Sequence, residues 1–219
     1  MRNDMGELIS LAERRAARAE AHAPPIRPRV GFFFDLASPW TYLAAERVDR
    51  RFADVRWQPA VGDALPGARD LAAQRAAAEE RADELQLPLV WPEVQPAPGR
   101  SAMRVASLAA ERGRAAEFVL AASRLAFCGG YDVDDPEILA EAAAAADLGL
   151  DECLRAAGEL RRDGAMERAA LRLLAQGADA LPVLVVGRAL FCGEHRLPEA
   201  AAAFSGRRAA PQPARRTFG

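Results

Sequence analysis

The sequence predicts an α/β fold in which a large all-helical segment interrupts a small β-sheet domain. Short apolar runs typical of strands lie near both ends of the chain, and a long helix-forming block separates them. The chain has 219 residues, which suits one large domain or one domain with a large insertion. Hydrophobic residues make up 51% of it and charged residues 27%, so we expect a globular core.

The composition excludes several classes of function. The formal net charge of −2 provides no basic field for a nucleic acid. No apolar run reaches the ~20 residues that span a bilayer, and residues 1–9 are too polar for a secretory signal, so we expect a cytoplasmic protein with no membrane partner. All 29 basic residues are arginine, which removes Schiff-base lysines and phosphate-binding P-loops. Two histidines and three scattered cysteines predict no metal site and no disulfide scaffold.

Residues 29–62 predict a strand, a helix and a second strand, which together form a βαβ unit. The apolar run at residues 30–34 is typical of a buried strand. Ser38 suits the N-cap of the helix and Pro39 its first position. Residues 1–28 form a separate region with a predicted amphipathic helix and a proline-rich linker. That helix is either an accessory element or a surface for a partner or a second copy.

Residues 63–176 predict an inserted domain built only of helices, because they are rich in alanine, leucine, glutamate and arginine with few breakers. The expected helices span residues 71–85, 102–127, 136–147, 152–160 and 165–176. Four prolines within residues 87–99 predict an irregular loop.

Residues 177–205 return to the sheet. The apolar runs 183–186 and 189–191, separated by the turn Gly187-Arg188, predict a β-hairpin. A closing helix is expected from Leu197, and residues 206–219 are predicted to be a disordered tail. A βαβ unit, a helical insertion, a hairpin and a helix form a thioredoxin-like layout.

The tetrapeptide Ser38-Pro39-Trp40-Thr41 opens a helix directly after an apolar strand. A helix N-terminus carries about half a positive charge and free N–H groups, so it favours an anion. Thioredoxin-like redox proteins place Cys-x-x-Cys here, whereas Ser38 and Thr41 provide no sulfur. A hydroxyl cannot exchange disulfides, but it can donate a hydrogen bond to a thiolate that a ligand brings. Alternatively, Ser38 serves only as an N-cap.

The pair Leu181-Pro182 begins the third predicted strand, a position where proline is tolerated. If the peptide bond is cis, the backbone of Leu181 turns towards the first helix and offers its N–H and C=O groups to an extended ligand. The alternative is an ordinary trans start of a strand.

Three segments follow a recognisable pattern: residues 32–44 (FFFDLASPWTYLA), 179–187 (DALPVLVVG) and 191–197 (FCGEHRL). They resemble the motifs FYFDFxSPYSYLA, GVPTFVVG and FWGxDRL of 2-hydroxychromene-2-carboxylate isomerases and kappa-class glutathione transferases. The order and spacing of the motifs and the helical block between them also match, so the resemblance spans residues 30–204.

The resemblance implies a DsbA-like thioredoxin fold with an inserted helical domain, glutathione bound between the two parts, and a homodimer. By position, Ser38 matches the serine that contacts and activates the glutathione sulfur. Leu181, before Pro182, matches the residue whose backbone pairs with the cysteinyl part of glutathione. Four residues match the segment that binds the γ-glutamyl end: Cys192, Gly193, Glu194 and His195.

Three positions depart from the family pattern. His195 stands where the family has an aspartate that suits the γ-glutamyl ammonium, and Glu194 is the candidate replacement. Cys192 stands where the family has a tryptophan. The family asparagine in the helical-domain loop has no counterpart, and the nearby Arg100 and Arg104 are expected to meet a carboxylate of the substrate or the thiol. The cofactor is therefore either glutathione or another low-molecular-weight thiol.

The resemblance implies an isomerase whose thiolate adds to an unsaturated, usually aromatic, carboxylate and leaves after bond rotation or ring opening. Trp40, Tyr42 and Trp91 are candidate aromatic walls for the flat substrate, with ordinary core packing as the alternative for each of them. Two other functions stay open. One is a DsbA-like oxidoreductase, against which the missing Cys-x-x-Cys counts. The other is a non-catalytic module that binds a partner through residues 1–28.

Overall fold

The computed structural model describes residues 30–68, 71–92 and 100–209 of the chain. The predicted helix within residues 1–28 lies outside this part, as do residues 210–219 of the predicted tail and residues 93–99 of the proline-rich loop. None of the described helices is long and apolar enough to cross a bilayer.

Four strands form one mixed sheet in the described chain. The strands are β1 (Val30–Phe34), β2 (Val55–Pro59), β3 (Val183–Val186) and β4 (Ala189–Cys192). They lie in the order β2-β1-β3-β4, with β1 parallel to β2 and antiparallel to β3, and β3 antiparallel to β4. Helix α1 (Pro39–Arg51) connects the parallel pair. The predicted βαβ unit and hairpin are therefore confirmed, although β4 also includes Cys192.

The insertion is helical, as predicted. Its helices are α2 (Leu71–Leu85), α3 (Arg100–Glu111), α4 (Ala115–Phe127), α5 (Pro136–Ala145), α6 (Leu150–Ala157) and α7 (Asp163–Ala175). The prediction of one helix over residues 102–127 is wrong. The chain breaks at Gly113, whose φ of 71° lies in the left-handed region that ends helices.

The fold closes with α8 (Leu197–Ala209), which packs against the sheet and α1. The ring of Phe204 meets Phe52, at the end of α1, edge to face with centroids 5.5 Å apart. The helix continues to Ala209, so residues 206–209, predicted as the start of a disordered tail, are helical.

One apolar core joins the sheet to the insertion. On the sheet side, Phe32 and Trp57 of adjacent strands meet edge to face with centroids 4.8 Å apart. On the insertion side, Tyr42 of α1 stacks on Phe127 of α4 at 5.9 Å, and its hydroxyl donates to the carbonyl oxygen of Pro88 at 2.7 Å. Burial of such side chains stabilises by about 25 cal/mol per Å². Helix α1 is thus fixed from both sides, and so is its N-terminus.

Candidate functional site

Four loops meet at one edge of the sheet. Because β3 runs antiparallel to β1 and β4, its first residue Val183 lies between Phe33, near the end of β1, and Cys192, at the end of β4. Strand β2 runs parallel to β1 and ends at the same edge. The predicted site residues Ser38, Leu181 and Pro182 and the segment 192–195 all lie in or beside these loops.

Ser38 is the N-cap of α1 by its backbone but not by its side chain. Its φ of −95° and ψ of 122° are extended, and its carbonyl oxygen accepts the N–H of Thr41 at 3.0 Å. The side chain makes no capping hydrogen bond, and the residue is half-buried. The alternative that the hydroxyl serves only as a cap is therefore not supported. The hydroxyl lies at the positive end of a helix, where an anion is favoured.

Thr41, at the other end of the tetrapeptide, is fully buried. Its Oγ1 accepts a hydrogen bond from the N–H of Asp35 at 3.2 Å. Of the two hydroxyls that stand where redox relatives keep sulfur, only Ser38 reaches the surface. The three cysteines of the chain are free thiols: Cys128, Cys153 and Cys192.

Asp35 is a site residue that sequence reasoning missed. Its Oδ1 accepts the N–H of Ala37 at 3.0 Å, and its Oδ2 accepts the N–H of Gly62 at 2.7 Å. Burial raises the pKa of the Asp35 carboxyl above its ordinary value, while these two hydrogen bonds oppose the rise. An aspartate whose side chain bonds the backbone two residues on forms an Asx turn, and Asp35 three residues before Ser38 was the available signal.

The Leu181–Pro182 peptide bond is cis, the conformation under which the Leu181 backbone was expected to turn towards α1. The carbonyl oxygen of Pro182 accepts the N–H of Gly193 at 2.8 Å, which joins the segment before β3 to the turn after β4. The Leu181 side chain lies beside Gly62, since its Cδ1 is 3.9 Å from where a Cβ on that glycine would stand. The segment therefore borders two of the other loops.

The turn after β4 is shaped by a glycine. Gly193 has a φ of 85° and a ψ of 156°, which only glycine adopts readily. The His195 ring lies over it, because a Cβ on Gly193 would come within 2.8 Å of the imidazole. His195 is exposed and Cys192 is half-buried. Burial raises the pKa of the Cys192 thiol, so this cysteine stays neutral and is a weak nucleophile.

Glu194 differs from its expected role as a partner for a ligand ammonium. The residue is 1% exposed, and its carboxylate forms ion pairs with Arg47 of α1 and Arg81 of α2. Arg81 donates from Nε to Oε2 at 2.8 Å and from Nη2 to Oε1 at 3.2 Å. Both carboxylate oxygens of Glu194 thus already face guanidinium groups from the protein.

The side chain of Trp91 makes its contacts with residues of the helical insertion. Its Nε1 donates to Glu79 Oε1 at 2.6 Å, and the Arg75 guanidinium lies 4.7 Å from the ring centroid. The edge of Trp91 also meets Phe127 with centroids 6.2 Å apart. These contacts favour core packing over a role as a substrate wall. Trp40, on the first turn of α1, is half-buried against the core and stays a candidate wall.

The two candidate arginines of α3 have different surroundings. Arg104 is occupied, because its Nε and Nη2 each donate to the carboxylate of Asp163 at 2.8 Å. Within the described ranges, Arg100 pairs only with the 86%-exposed Asp63, at 3.1 Å, a contact worth about 0–1 kcal/mol. Arg100 also lies close enough to Asp35 to oppose the burial that raises the pKa of that carboxyl. Arg100 is therefore the arginine that a ligand carboxylate can recruit.

The site contains donors for an extended anion rather than ligands for a metal. Within the described ranges, no group of three or more histidine, cysteine, aspartate or glutamate side chains could hold a metal ion. The sheet edge instead combines one hydroxyl at a helix N-terminus, the backbone next to a cis proline, and a weakly paired arginine. Such an arrangement can bind and orient an anionic ligand.

The family described as the DSBA-like thioredoxin domain matches residues 29–205 of the chain. No curated protein matches it in sequence. The match covers the sheet, the helical insertion and all the loops of the site.

Several solved structures are similar to the fold. A 2-hydroxychromene-2-carboxylate isomerase superposes with a TM-score of 0.67 at 18% identity, over 82% of this chain and 95% of that one. A probable DsbA oxidoreductase from Streptomyces coelicolor gives 0.63 at 21% identity, over 86% and 93%. The cytosolic disulfide reductase DsbM from Pseudomonas aeruginosa gives 0.62 at 17% identity, over 82% and 97%. These likenesses confirm the predicted thioredoxin-like fold with its helical insertion.

Proposed function

Because this chain belongs to the family of DSBA-like thioredoxin domains, we propose that it binds a low-molecular-weight thiol such as glutathione and uses it in an isomerase or transferase reaction. The observation that carries the proposal is the Ser38 hydroxyl, which is half-buried at the N-terminus of α1 and not used for capping. Ser38 donates a hydrogen bond to the ligand thiolate, where redox relatives keep a cysteine of their own.

The local electrostatics favour a thiolate over a thiol. The N-terminus of α1, which begins at Pro39, contributes about half a positive charge. A free thiol has a pKa of about 8.5, and a helix terminus with a hydrogen-bond donor lowers it. The bound thiol is thus deprotonated near neutral pH and becomes the nucleophile.

The backbone beside the cis Leu181–Pro182 bond supports the ligand as an extended chain. Gly193, bonded to the Pro182 carbonyl, adds the adjoining part of the wall. A second structure of DsbM from Pseudomonas aeruginosa, aligned with this chain at 18% identity, was solved with GSH, and this supports a thiol ligand for the fold. Glu194 is not part of the contact surface, because its carboxylate is buried in ion pairs.

The reaction is a reversible addition. The thiolate sulfur forms a bond to an electron-poor carbon of an unsaturated carboxylate, and the electron pair of the double bond moves into the conjugated group. The former double bond rotates as a single bond, the pair returns, and the carbon–sulfur bond breaks, so the thiolate is regenerated. Arg100 exchanges Asp63 for the substrate carboxylate, and Trp40 forms an aromatic wall.

We further expect a homodimer, as the resemblance of the motifs implies, and a location in the cytoplasm, as the polar residues 1–9 indicate. Sedimentation velocity of the purified chain checks the oligomeric state. A monomer at micromolar concentration contradicts this part of the proposal without affecting the role of Ser38.

Calorimetric titration with glutathione, and separately with other cellular thiols, tests the proposal directly. Spectroscopic titration of the bound thiolate then gives the pKa of the ligand. We expect Ser38→Ala to fold and to lose at least about tenfold in thiol-dependent turnover of an unsaturated aromatic carboxylate, equivalent to about 1.4 kcal/mol. Ser107→Ala, a half-buried serine on α3, is the matched control and keeps the activity.

Three results contradict the proposal in distinguishable ways. Unchanged turnover in Ser38→Ala rejects the role of that hydroxyl. Sustained reduction of insulin disulfides favours a DsbA-like oxidoreductase. If no small thiol raises the melting temperature, a module that binds a macromolecular partner is favoured, because any ligand that binds the native state stabilises it.

A further inference from the structure

Glu194 is the one charged side chain that is fully buried in the described part of the chain. Its carboxylate meets Arg47, with 17% of the side chain exposed, and Arg81, with 27% exposed. Arg81 approaches as a fork, with two of its nitrogens on the two carboxylate oxygens. We name these three residues, Arg47, Arg81 and Glu194, the arginine–glutamate cluster.

The cluster connects three parts of the fold. Arg47 lies on α1, whose N-terminus presents Ser38. Arg81 lies on α2, the first helix of the insertion. Glu194 lies in the turn after β4, 113 residues away from Arg81 in the chain. A contact of this kind sets where the turn lies relative to both domains.

The turn is also bonded to the expected ligand wall. Gly193, the residue before Glu194, donates its N–H to the carbonyl oxygen of Pro182 at 2.8 Å. Its φ of 85° gives this donor a direction that a residue with a side chain would not easily maintain. Glu194 directly follows Gly193 in the chain, so the position of its carboxylate affects the Gly193 N–H that bonds to Pro182.

We propose that the arginine–glutamate cluster positions the Gly193–Pro182 wall relative to Ser38, and so couples the helical insertion to thiol affinity. This inference rests on the proposed function for its ligand, although the positioning of Gly193 can be measured without one. Glu194 and Arg81 are positioning residues, because they act on the ligand through Gly193 and Pro182.

A buried ion pair by itself adds little to the free energy of unfolding. The cost of removing its charges from water roughly cancels their attraction, and an apolar replacement of similar volume often stabilises as well. The fork of an arginine on a carboxylate does restrict direction, since two parallel hydrogen bonds define one geometry. A lysine in its place keeps the charge but not the fork. This difference separates positioning from general stabilisation.

The test compares Arg81→Lys and Arg81→Gln with the wild type in the full chain. Arg81→Gln leaves the pair of Arg47 and Glu194 intact, so the protein is expected to fold. We expect it to raise the KM or Kd for glutathione about fivefold or more with kcat nearly unchanged, since a displaced wall weakens uniform binding. Arg81→Lys is expected to fall between the wild type and Arg81→Gln. Hydrogen exchange at the Gly193 amide, measured without ligand, should accelerate in the same order.

The matched control is Arg162→Gln, which removes the ion pairs of a largely buried arginine with Glu111 and Glu159 within the insertion. It is expected to lower the melting temperature without changing the KM or the exchange at Gly193. If the cluster has only a structural role, the Arg81 variants will also show a lower melting temperature with unchanged KM and unchanged exchange at Gly193. That result overturns the inference. If the wild type binds no thiol, the proposed function fails, whereas Gly193 exchange still decides whether the cluster positions the turn.

Discussion

The carboxylate of Asp35 accepts the backbone N–H of Gly62 at 2.7 Å, and this bond ties the loop after β1 to the loop after β2. The same side chain accepts the N–H of Ala37 at 3.0 Å. One carboxylate therefore fixes two of the four loops that surround Ser38.

We expect Asp35→Ala to lower the free energy of unfolding by about 2 kcal/mol, because two backbone N–H groups lose their acceptors. Urea denaturation measures the loss. Asp83→Ala, which removes an exposed carboxylate on α2, is the control and should change stability by less than about 0.5 kcal/mol. Equal losses in the two variants contradict the bracing role of Asp35.

Asp35 also gives stability a pH dependence with a defined sign. Burial raises the pKa of its carboxyl above 3.8, so between the unfolded and folded pKa values the native state binds more protons than the unfolded state. Ionisation of Asp35 therefore lowers the stability of the native state as pH rises from the unfolded pKa through the folded pKa, and the hydrogen bonds from Gly62 and Ala37 offset part of this loss. Urea denaturation from about pH 4 to about pH 7 checks this as the difference between the wild type and Asp35→Asn. We expect the free energy of unfolding of the wild type minus that of Asp35→Asn to fall as pH rises, and a value that rises with pH contradicts the assignment.

The hydroxyl of Tyr42 joins α1 to the insertion by donating to the Pro88 carbonyl oxygen. Tyr42→Phe leaves that oxygen without its donor, and we expect a loss of about 1–2 kcal/mol in the free energy of unfolding. Thermal and urea denaturation measure it. Tyr131→Phe, at a 52%-exposed position, should be nearly neutral. A neutral Tyr42→Phe would show that the bond does not contribute to docking of the insertion.

Ser38→Cys places a sulfur at the N-terminus of α1. We expect the new thiol to have a pKa below about 8.5, because the helix terminus stabilises its thiolate. With oxidised glutathione, the thiolate attacks one sulfur, forms a mixed disulfide and releases one glutathione thiolate. The rate of release against pH measures the pKa. Ser107→Cys, within α3, should react more slowly; equal rates would mean that the position of Ser38 confers no activation.

The strands, the first helix and the hairpin were predictable because their signals are local. Strand β1 is a continuous apolar run, α1 begins at a serine followed by a proline, and the glycine at 187 marks the turn between β3 and β4. The break at Gly113 was missed because a single glycine within a strongly helical composition is a weak signal.

The roles of individual side chains were less predictable, because they depend on partners distant in the chain. Glu194 is acidic beside an expected ammonium site, yet Arg47 and Arg81 occupy its carboxylate. Trp91 is aromatic in an expected substrate region, yet Glu79 and Arg75 engage its ring. No spacing rule relates residues that far apart.

The amino-acid order was sufficient to establish the α/β layout and the replacement of the redox sulfurs by Ser38 and Thr41, since both follow from periodicity and residue type along short stretches. Only the folded chain distinguished the two hydroxyls. Thr41 turns inward to the Asp35 backbone, whereas Ser38 stays at the surface without a capping bond. Which side chain is satisfied internally and which remains for a ligand depends on contacts between segments that meet only when the sheet edge is assembled.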